Sequence, residues 1–308
     1  MGKLRLALLA GGWSGEREVS LMSGQAVYQA LDKRKYHVTR YDPRDDLVAL
    51  IEDKGNIDLA FMLLHGKYGE DGRIQGFLDL LGIPYIGSGV LTSAVALNKG
   101  MAKTLYRRAG LTVIEDVMVC QDRPYSVVDI VETLGPRSVV KPVAEGSSLG
   151  MTVCGSTEDL QRGIELAFQY DKEVMIERHV EGQEVTCCVL GTAECESLPL
   201  VEIVPNPESS FFDYHAKYTQ GAAREICPAR LSAAQTEMAC DCALRAHRAL
   251  GCRDWSRTDM IVQGGTVFIL ETNTVPGMTE NSLVPLAARA AGMTLSQLLD
   301  KLIALSLG

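Results

Sequence analysis

The sequence predicts an α/β protein whose chain opens with a parallel sheet and continues into further packed domains. Leu4–Ala10 is a continuous apolar run that ends at two glycines, as is typical of a buried parallel strand. Helical periodicity follows over Glu18–Leu31, and Tyr36–Asp42 and Asp58–Leu64 have the pattern of two further strands. At 308 residues the chain exceeds what one core usually supports, so we expect two or three domains, the first ending near residue 96.

Composition and charge exclude several classes of function. The chain has 46% hydrophobic and 22% charged residues, as ordinary soluble globular proteins do, and its net charge of −9 argues against a nucleic-acid partner. No apolar stretch approaches the ~18 residues of a membrane span, and the short run after Lys3 and Arg5 passes directly into a glycine turn, unlike a signal peptide. The nine cysteines lack paired C-x-x-C spacing, so we expect reduced thiols in a cytoplasmic protein.

The first glycine turn does not predict a dinucleotide site. Its sequence, GGWSGERE, does not match G-x-G-x-x-G, which disfavours an oxidoreductase. Glu16, at the entrance of the first helix, would repel a phosphate but suit an ammonium group, although a lone glutamate there more often only complements the helix dipole. His65 follows a strand end, where open α/β sheets place ligand-contacting loops, but a lone histidine is as often bonded to loop backbone.

The middle of the chain has features of phosphate binding. Leu97–Ala109 is a predicted helical segment that carries Lys99, and the predicted strand Ser138–Lys141 ends in a lysine that the following proline biases towards extended backbone. The loop Gly146–Gly150 offers backbone N–H groups and hydroxyls but lacks a Walker A ending, so a P-loop is excluded. Taken alone, this loop is equally typical of an ordinary hairpin turn.

A connector between two later strands is a candidate for nucleotide contacts. After the predicted helix Thr157–Tyr170, strands are predicted over Glu173–Glu177 and Glu184–Leu190, with ERHVEGQE joining them. Such a connector offers backbone groups to an adenine and a carboxylate to ribose hydroxyls. Either glutamate could equally be a solvated turn residue.

A hairpin near the end of the chain predicts a metal site. Two strands are joined by Gly264-Gly265, with Asp259 near the start of the first and Glu271 and Asn273 at the end of the second. Asp259 and Glu271 could face each other across the hairpin, and residues two apart on a strand share a face. These hard oxygen ligands suit Mg²⁺ and a nucleotide. A surface hairpin with solvated carboxylates is an equally good interpretation of these residues alone.

The segment 205–224 has no periodicity and is too long for a passive connection, which predicts a functional lid. Tyr214, Lys217 and Tyr218 are its candidate contacts. Helices are predicted to follow at Ser232–Leu250 and from Thr294 onwards, each with a capping box.

Seven blocks in this order resemble the D-alanine–D-alanine ligases of the ATP-grasp superfamily: GGWSGEREVSLMSG, LHGKYGEDGRIQG, PYIGSGVLTSAVALNK, VVKPVAEGSSLGM, FFDYHAKY, CPA and RTDM…LETNTVPGMTENSLVP. The match spans essentially the whole chain. It implies a three-domain ATP-grasp fold with an N-terminal parallel-sheet substrate domain over 1–96, a central ATP-binding domain over 97–182 and a catalytic domain over 183–308. ATP would lie between the two antiparallel sheets of the later domains.

The resemblance also assigns nucleotide contacts. Lys99 and Lys141 would meet the phosphates or base, Glu177 and Val180 the adenine, and Glu184 the ribose. The full set of ATP-binding residues that it implies is Lys99, Lys141, Glu145, Gly146, Ser147, Ser148, Glu177, Arg178, His179, Val180, Glu184, Phe211 and Lys217.

Substrates, metals and partners follow from the same resemblance. Glu16 would take the ammonium of the first D-alanine, and Ser282 with Leu283 the carboxylate of the second. Asp259, Glu271 and Asn273 would hold two Mg²⁺ ions, which Mn²⁺ can replace. The resemblance also implies substrate contacts for His65, Lys217 and Tyr218. It implies that Arg257 and Gly277 form an oxyanion site. The catalytic residues that it implies are Glu16, Ser147, Tyr218, Arg257, Gly277 and Ser282. The expected protein is a cytoplasmic homodimer that makes peptidoglycan precursor.

The sequence departs from the family pattern at two positions and leaves two rival functions open. Asn98 stands where aspartate is usual, and Thr272 where a bulkier aliphatic residue or alanine is usual, which puts ligand affinity rather than activity in question. A nucleotide sensor without catalysis would use the same metal residues. A ligase for D-lactate or D-serine is the nearest rival within the enzyme class, and Tyr218, a neutral phenol, favours an amine acceptor over a hydroxy acid.

Overall fold

A computed structural model describes residues 2–146, 148–205 and 223–308 and has the predicted α/β class. The N-terminal sheet contains three parallel strands in the order β2-β1-β3. They are β1 (Leu4–Leu9), β2 (Tyr36–Tyr41) and β3 (Leu59–Met62). Beside β3, Tyr85 forms a single parallel bridge with Ala60.

Five helices accompany this sheet or follow it closely: α1 (Arg17–Ala30), α2 (Pro43–Glu52), α3 (Arg73–Leu81), α4 (Val90–Leu97) and α5 (Lys99–Arg108), with a 3₁₀ turn at Lys54–Asn56. The sequence did not predict α2 or α4. The helical segment predicted from Leu97 is in fact two helices, because Asn98 leaves helical geometry and its side chain caps α5 by accepting a hydrogen bond from the Met101 N–H at 3.0 Å.

The central part of the chain forms a four-stranded antiparallel sheet in the order β4-β7-β5-β6. Its elements are β4 (Asp116–Cys120), α6 (Val127–Leu134), β5 (Ser138–Pro142), β6 (Thr152–Cys154), α7 (Thr157–Ala167) and β7 (Glu173–Arg178). Helices α6 and α7 bury apolar residues such as Ile130, Leu134 and Ile164 against one face of this sheet. The sheet therefore has its own core.

The remaining strands form an antiparallel sheet that contains six strands within the described residues. The elements are β8 (Gln183–Gly191), β9 (Cys195–Ser197), β10 (Val201–Pro205), β11 (Ala223–Ile226), α8 (Ala233–Leu250), β12 (Trp255–Gln263), β13 (Thr266–Asn273), α9 (Leu283–Ala290) and α10 (Leu295–Leu307). Both predicted capping boxes are present, at Ser232 and Thr294. Helices α5 and α8 cover one face, where Tyr106 and Ala243 pack against Ile269.

The first and last parts of the chain share one core. Leu6 and Phe61 of the parallel sheet pack in a single cluster with Trp255, Val284 and Leu302. The rings of Phe61 and Trp255 meet edge to face with centroids 6.2 Å apart. This contact fixes the loops that follow β1 and β3 against the end of the hairpin β12–β13.

The nine cysteines all lie in the described part of the chain and are free thiols, as predicted. Among the described residues, every helix is too short or too polar to cross a lipid bilayer.

Candidate active site

One cleft of about 910 Å³ collects most of the predicted site residues that the structure describes. It is bounded by the turns after β1 and β3, the start of α5, the loop after β5 and the hairpin β12–β13 with the segment that follows it. The predicted residues that line it are Glu16, His65, Lys99, Glu145, Gly146, Glu184, Arg257, Asp259, Glu271, Asn273, Gly277, Ser282 and Leu283. Residues from three distant parts of the sequence thus meet at one place.

A β-bulge in the hairpin turns its polar side chains towards the cleft. Asp259 is paired with Glu271, as predicted, but Met260 is paired with Ile269, so Leu270 is an extra residue. On β13, Ile269 lies in the apolar layer under the helices, and strict alternation would place Glu271 there as well. The bulge shifts the alternation by one residue. Glu271 and Asn273 therefore line the cleft, while Thr272 is buried beneath Tyr106, whose hydroxyl lies 2.7 Å from the Thr272 Oγ1.

Asp259 is the centre of the polar network on the hairpin. Arg257 binds it in a fork, with Nε 2.9 Å from Oδ1 and Nη2 2.7 Å from Oδ2. The Thr186 hydroxyl donates to Oδ1 at 2.5 Å, and the Asn273 Nδ2 donates to Oδ2 at 3.2 Å. The Lys99 ammonium lies 3.8 Å from Glu271 Oε2. Each carboxylate therefore has a cation beside it, Arg257 next to Asp259 and Lys99 near Glu271.

The donor set of the hairpin fits Mg²⁺. In the described part of the chain, no group of three or more histidine, cysteine, aspartate or glutamate side chains is placed to hold a metal ion. Two carboxylates and an amide oxygen in register across one hairpin are nevertheless the hard oxygen ligands that Mg²⁺ takes, with water and phosphate completing its shell. The residues therefore fit a cation that arrives together with a phosphate.

Glu16 is buried where glycines leave room for its carboxylate. It precedes the first turn of α1. A Cβ atom added to Gly66 would lie 2.7 Å from Glu16 Oε2, and one added to Gly146 would lie 2.8 Å from the same oxygen. Two backbone segments thus pass directly beside this carboxylate, which suits it to a small cationic group at the wall of the cleft.

We expect Glu16→Gln to raise the KM for the amino-acid substrate more than the KM for ATP. The substitution keeps the shape of the side chain and removes the negative charge that an ammonium would meet. Steady-state kinetics with each substrate varied in turn measures the two values. A rise in the KM for ATP alone would place the nucleotide, rather than the ammonium group, beside Glu16.

His65 and Glu70 lie together behind the same wall. The His65 Nδ1 is 3.0 Å from the Val275 carbonyl, while Nε2 has no hydrogen-bond partner in the structure. Burial lowers the pKa of His65, so its imidazole is neutral. Glu70 Oε2 accepts from the Gly66 N–H at 2.7 Å, and burial together with Glu16 raises the pKa of the Glu70 carboxyl to about 8. The sequence analysis did not identify Glu70, although it lies in the same polar loop as His65.

Glu70 predicts a loss of stability as pH rises. The pKa of its carboxyl is ordinarily near 4.5 and is raised in the folded protein. The protonated carboxyl therefore makes its full contribution to the free energy of unfolding below pH 4.5, and this contribution is lost as the pH approaches 8. The free energy of unfolding of the native protein should fall between pH 5 and pH 8. In Glu70→Gln, which keeps an acceptor for the Gly66 N–H, we expect this fall to be smaller by at least about 1 kcal/mol. Urea unfolding across this range measures the difference. Parallel profiles would mean that Glu70 is already ionised in the fold.

The structure places Glu177 in a buried ion-pair network. Its carboxylate is 2% exposed, with Oε1 2.5 Å from Lys103 and Oε2 2.6 Å from Lys141. Burial alone would raise the pKa of Glu177, but Lys141 and Lys103 outweigh it and hold the pKa below its usual value. Lys103 was missed in the sequence, although it lies four residues after Lys99 and hence on the same face of α5.

The other predicted nucleotide residues are placed around the central sheet. The Glu145 side chain pairs with Lys67, and its carbonyl accepts from the Lys99 ammonium at 2.6 Å. Ser148 adopts φ +59° in a turn whose backbone N–H groups are partly used internally, since the Met151 N–H donates to the Ser148 carbonyl at 3.1 Å. Only part of this loop thus remains for a phosphate.

The end of β7 and the connector after it lie beside the cleft rather than among its lining residues. Arg178 is exposed and lies 3.7 Å from Glu115, and His179 donates its backbone N–H to the Arg137 carbonyl. Val180 is half-buried. Ser147 lies outside the described residues, and so do residues 206–222 of the predicted lid, which include Phe211, Tyr214, Lys217 and Tyr218. The two ends of the predicted lid belong to strands, because Pro205 ends β10 and Ala223 begins β11.

Ser282 forms a helix entrance on the far side of the cleft. It precedes α9, and its Oγ accepts from the Thr279 N–H at 3.0 Å. A Cβ atom added to Gly277 would come within 3.0 Å of that oxygen, so the backbone passes close to it. The first backbone N–H groups of a helix, beginning here at Leu283, favour an anion such as a carboxylate.

The two antiparallel sheets and the cleft beside them, with Lys99 and the carboxylates of the hairpin in its wall, are typical of a nucleotide-binding protein with the ATP-grasp fold. Family models agree: one described as the D-ala D-ala ligase N-terminus matches residues 42–88, and one described as the D-ala D-ala ligase C-terminus matches residues 105–304. The chain belongs to the D-alanine–D-alanine ligase family and is an enzyme.

Individual relatives match over almost their whole length. A D-alanine–D-alanine ligase of Syntrophobacter fumaroxidans is 53% identical over 305 residues, which are 99% of this chain and 98% of the relative. The crystal structure of a D-alanine–D-alanine ligase from Bacillus anthracis complexed with ATP has a TM-score of 0.87 at 34% identity, covering 99% of this chain and 97% of that one. A D-Ala:D-Ser ligase from Enterococcus faecalis has a TM-score of 0.85 at 33% identity, covering 99% and 100%.

Proposed function

We propose that the protein joins two D-alanine molecules at the expense of ATP and releases D-alanyl-D-alanine, ADP and phosphate for peptidoglycan precursor synthesis. The observation that carries the proposal is that one cleft joins the buried Glu16 carboxylate to the Arg257–Asp259 pair and to the helix entrance at Ser282. An anion for one substrate ammonium and a helix N-terminus for one carboxylate are the groups that two amino acids require.

The chemistry requires an activated carboxylate. A carboxylate oxygen of the first D-alanine attacks the γ-phosphorus of ATP, the bond to the β-phosphate oxygen breaks, and D-alanyl phosphate and ADP form. The amine of the second D-alanine then attacks the carbonyl carbon, phosphate leaves, and the amine releases a proton. The protein's part is to position the groups and to stabilise the charge that develops.

Each group of cleft residues would have a role in one of these reaction steps. Glu16 would hold the ammonium of the first D-alanine, and Ser282 with the Leu283 N–H would hold the carboxylate of the second. Arg257 and the Gly277 N–H would donate to the oxyanion of the tetrahedral intermediate. Lys99 and Lys141 would meet the nucleotide, and Glu184, which like Lys99 lines the cleft, would meet its ribose.

Asp259, Glu271 and Asn273 would hold Mg²⁺, and Mn²⁺ offers similar oxygen coordination. When bound, the ions supply positive charge to the phosphate oxygens. Arg257 orients Asp259 by its two hydrogen bonds in the structure. Two ions, rather than one, are part of the proposal because the family resemblance implies two.

Release of ADP that depends on added D-alanine tests the proposal and separates a ligase from a nucleotide sensor. A parallel assay offers D-alanine with D-serine or D-lactate as the second substrate, since a D-Ala:D-Ser ligase shares the fold. We expect the dipeptide of D-alanine to be the main product between pH 6 and pH 8. Nucleotide binding without turnover in the presence of D-alanine, or a predominantly mixed product, would contradict the proposal.

We further infer a homodimer in the cytoplasm. The free thiols are in keeping with a reducing compartment, and the family resemblance supports the dimer. Light scattering on the purified protein measures the mass of the assembly.

A further inference from the structure

Lys103 is a buried lysine to which the proposed reaction assigns no role. It lies on α5, and its side chain is 1% exposed. Its ammonium donates to the Ile114 carbonyl at 2.7 Å and to Asp116 Oδ1 at 3.0 Å, and it lies 2.5 Å from Glu177 Oε1. The ammonium thus makes two hydrogen bonds and, with Glu177 Oε1, a close ion pair. The side chain is therefore held in one orientation.

The contacts of Lys103 extend into a line of alternating charges. Arg107 pairs with Asp116, Asp116 with Lys103, Lys103 with Glu177, and Glu177 with Lys141 at 2.6 Å. Arg107 at one end is half-exposed, whereas Lys141 at the other end is nearly buried. The line thus runs from solvent, through the interior, to the lysine that is proposed to meet the nucleotide.

The two ends of this line are not equivalent. Lys141 is influenced by Glu271 on the cleft wall as well as by Glu177. Burial acts to lower the pKa of Lys141, but Glu177 and Glu271 outweigh it and raise the pKa, so the side chain is a cation. Lys99 is tied to the same region because its backbone N–H donates to the carbonyl of Val143, two residues after Lys141.

Counting charges shows what Lys103 contributes. The line has three cations and two carboxylates, which leaves one positive charge in excess. Without Lys103 it has two of each and is neutral, and Lys141 alone would neutralise Glu177. A buried carboxylate that loses one of its two cations also binds the remaining one more tightly.

We propose that Lys103 is a positioning residue for the nucleotide, because it shares the charge of Glu177 and so leaves Lys141 available to the anionic groups of ATP. The inference rests on the proposed function and adds a residue to it. When Lys141 turns towards a phosphate, Lys103 keeps Glu177 paired, and no buried charge is left without a partner. Lys103 itself touches neither the nucleotide nor the amino acids.

The test compares Lys103→Met with a matched core variant, Leu134→Ala, which truncates a fully buried side chain of α6 in the core of the central sheet. Titration calorimetry measures the Kd for ATP, and steady-state kinetics measures the KM for ATP and for D-alanine. We expect Lys103→Met to raise the Kd and the KM for ATP about tenfold or more and to raise the KM for D-alanine much less. Leu134→Ala should lower the melting temperature without this selective effect.

A double variant separates charge from stability. Lys103→Met with Glu177→Gln removes one charge of each sign and restores the excess positive charge, so we expect it to bind ATP more tightly than Lys103→Met alone. If Lys103→Met proves too unstable to purify, the double variant is compared with Glu177→Gln. We expect the two to bind ATP about equally, because the charge that Lys103 shares is absent from both, and a much weaker double variant would overturn the inference. An effect of Lys103→Met on the Kd for ATP no larger than that of Leu134→Ala would also overturn it. ATP affinity is measured without turnover, so a failure of ligation in the native protein would refute the proposed reaction alone.

Discussion

We expect Glu271→Gln to lower kcat by at least about a hundredfold and to change the melting temperature by only a few degrees. The side chain is partly exposed at the wall of the cleft, 3.8 Å from Lys99, and it contributes no apolar contact to a core. An amide keeps the shape of the carboxylate but is a weaker ligand for a hard cation. The loss should therefore appear in turnover rather than in stability, and kinetics with calorimetric melting measures both.

Glu196→Gln is the matched control for this result. Glu196 lies on β9 of the same sheet and also pairs with a lysine, Lys301, but it is outside the cleft. Its substitution should leave both kcat and melting nearly unchanged. A fully active Glu271→Gln enzyme would refute the assignment of Glu271 to the metal site.

Arg257→Lys is expected to lower kcat by about 10²–10³-fold, the usual effect of removing one donor to an oxyanion. Arg257 binds Asp259 through two parallel hydrogen bonds, and lysine cannot reproduce that planar fork. A lysine that pairs with Asp259 would have no second donor group at the position of the reacting carbonyl. The KM for ATP should change far less than kcat, because the contact is made mainly in the transition state.

Arg230→Lys provides the comparison. Arg230 binds Glu202 with the same fork geometry, at 2.9 and 2.8 Å, at a distance from the reacting groups. We expect it to cost some stability and little activity. Equal losses of kcat in both variants would show that Arg257 acts only by supporting the sheet.

The sequence was informative wherever a local pattern decides the structure. The alternation and turn of the hairpin correctly paired Asp259 with Glu271, and capping residues marked the starts of α8 and α10. The candidate site was also predictable from motifs at strand ends, because such loops meet at one edge of an α/β sheet. Its assembly in one cleft confirms that placement, while the roles of the residues stay predictions.

What the sequence did not show depends on contacts between distant segments. Nothing local distinguishes Lys103 from a solvated helix lysine, because its partners lie 11 to 74 positions away, at Ile114, Asp116 and Glu177. Glu70 is one of several polar residues in its loop, and only its burial beside Glu16 raises the pKa of its carboxyl. The split between α4 and α5 at Asn98 was hidden because helical periodicity continues across the cap.

The bulge at Leu270 makes the active strand sensitive to its backbone path more than to its composition. On β13, Ile269 faces the helices while Glu271 and Asn273 face the cleft, because the pairing with β12 skips Leu270. If Leu270 joined the ladder in strict alternation, Glu271 and Asn273 would turn under the helices and Thr272 would turn outwards, so one shift of register would cost both the ion site and the buried contact beneath it. Many side chains could occupy position 270, but its backbone has to stay outside the regular pairing for the strand to serve both faces.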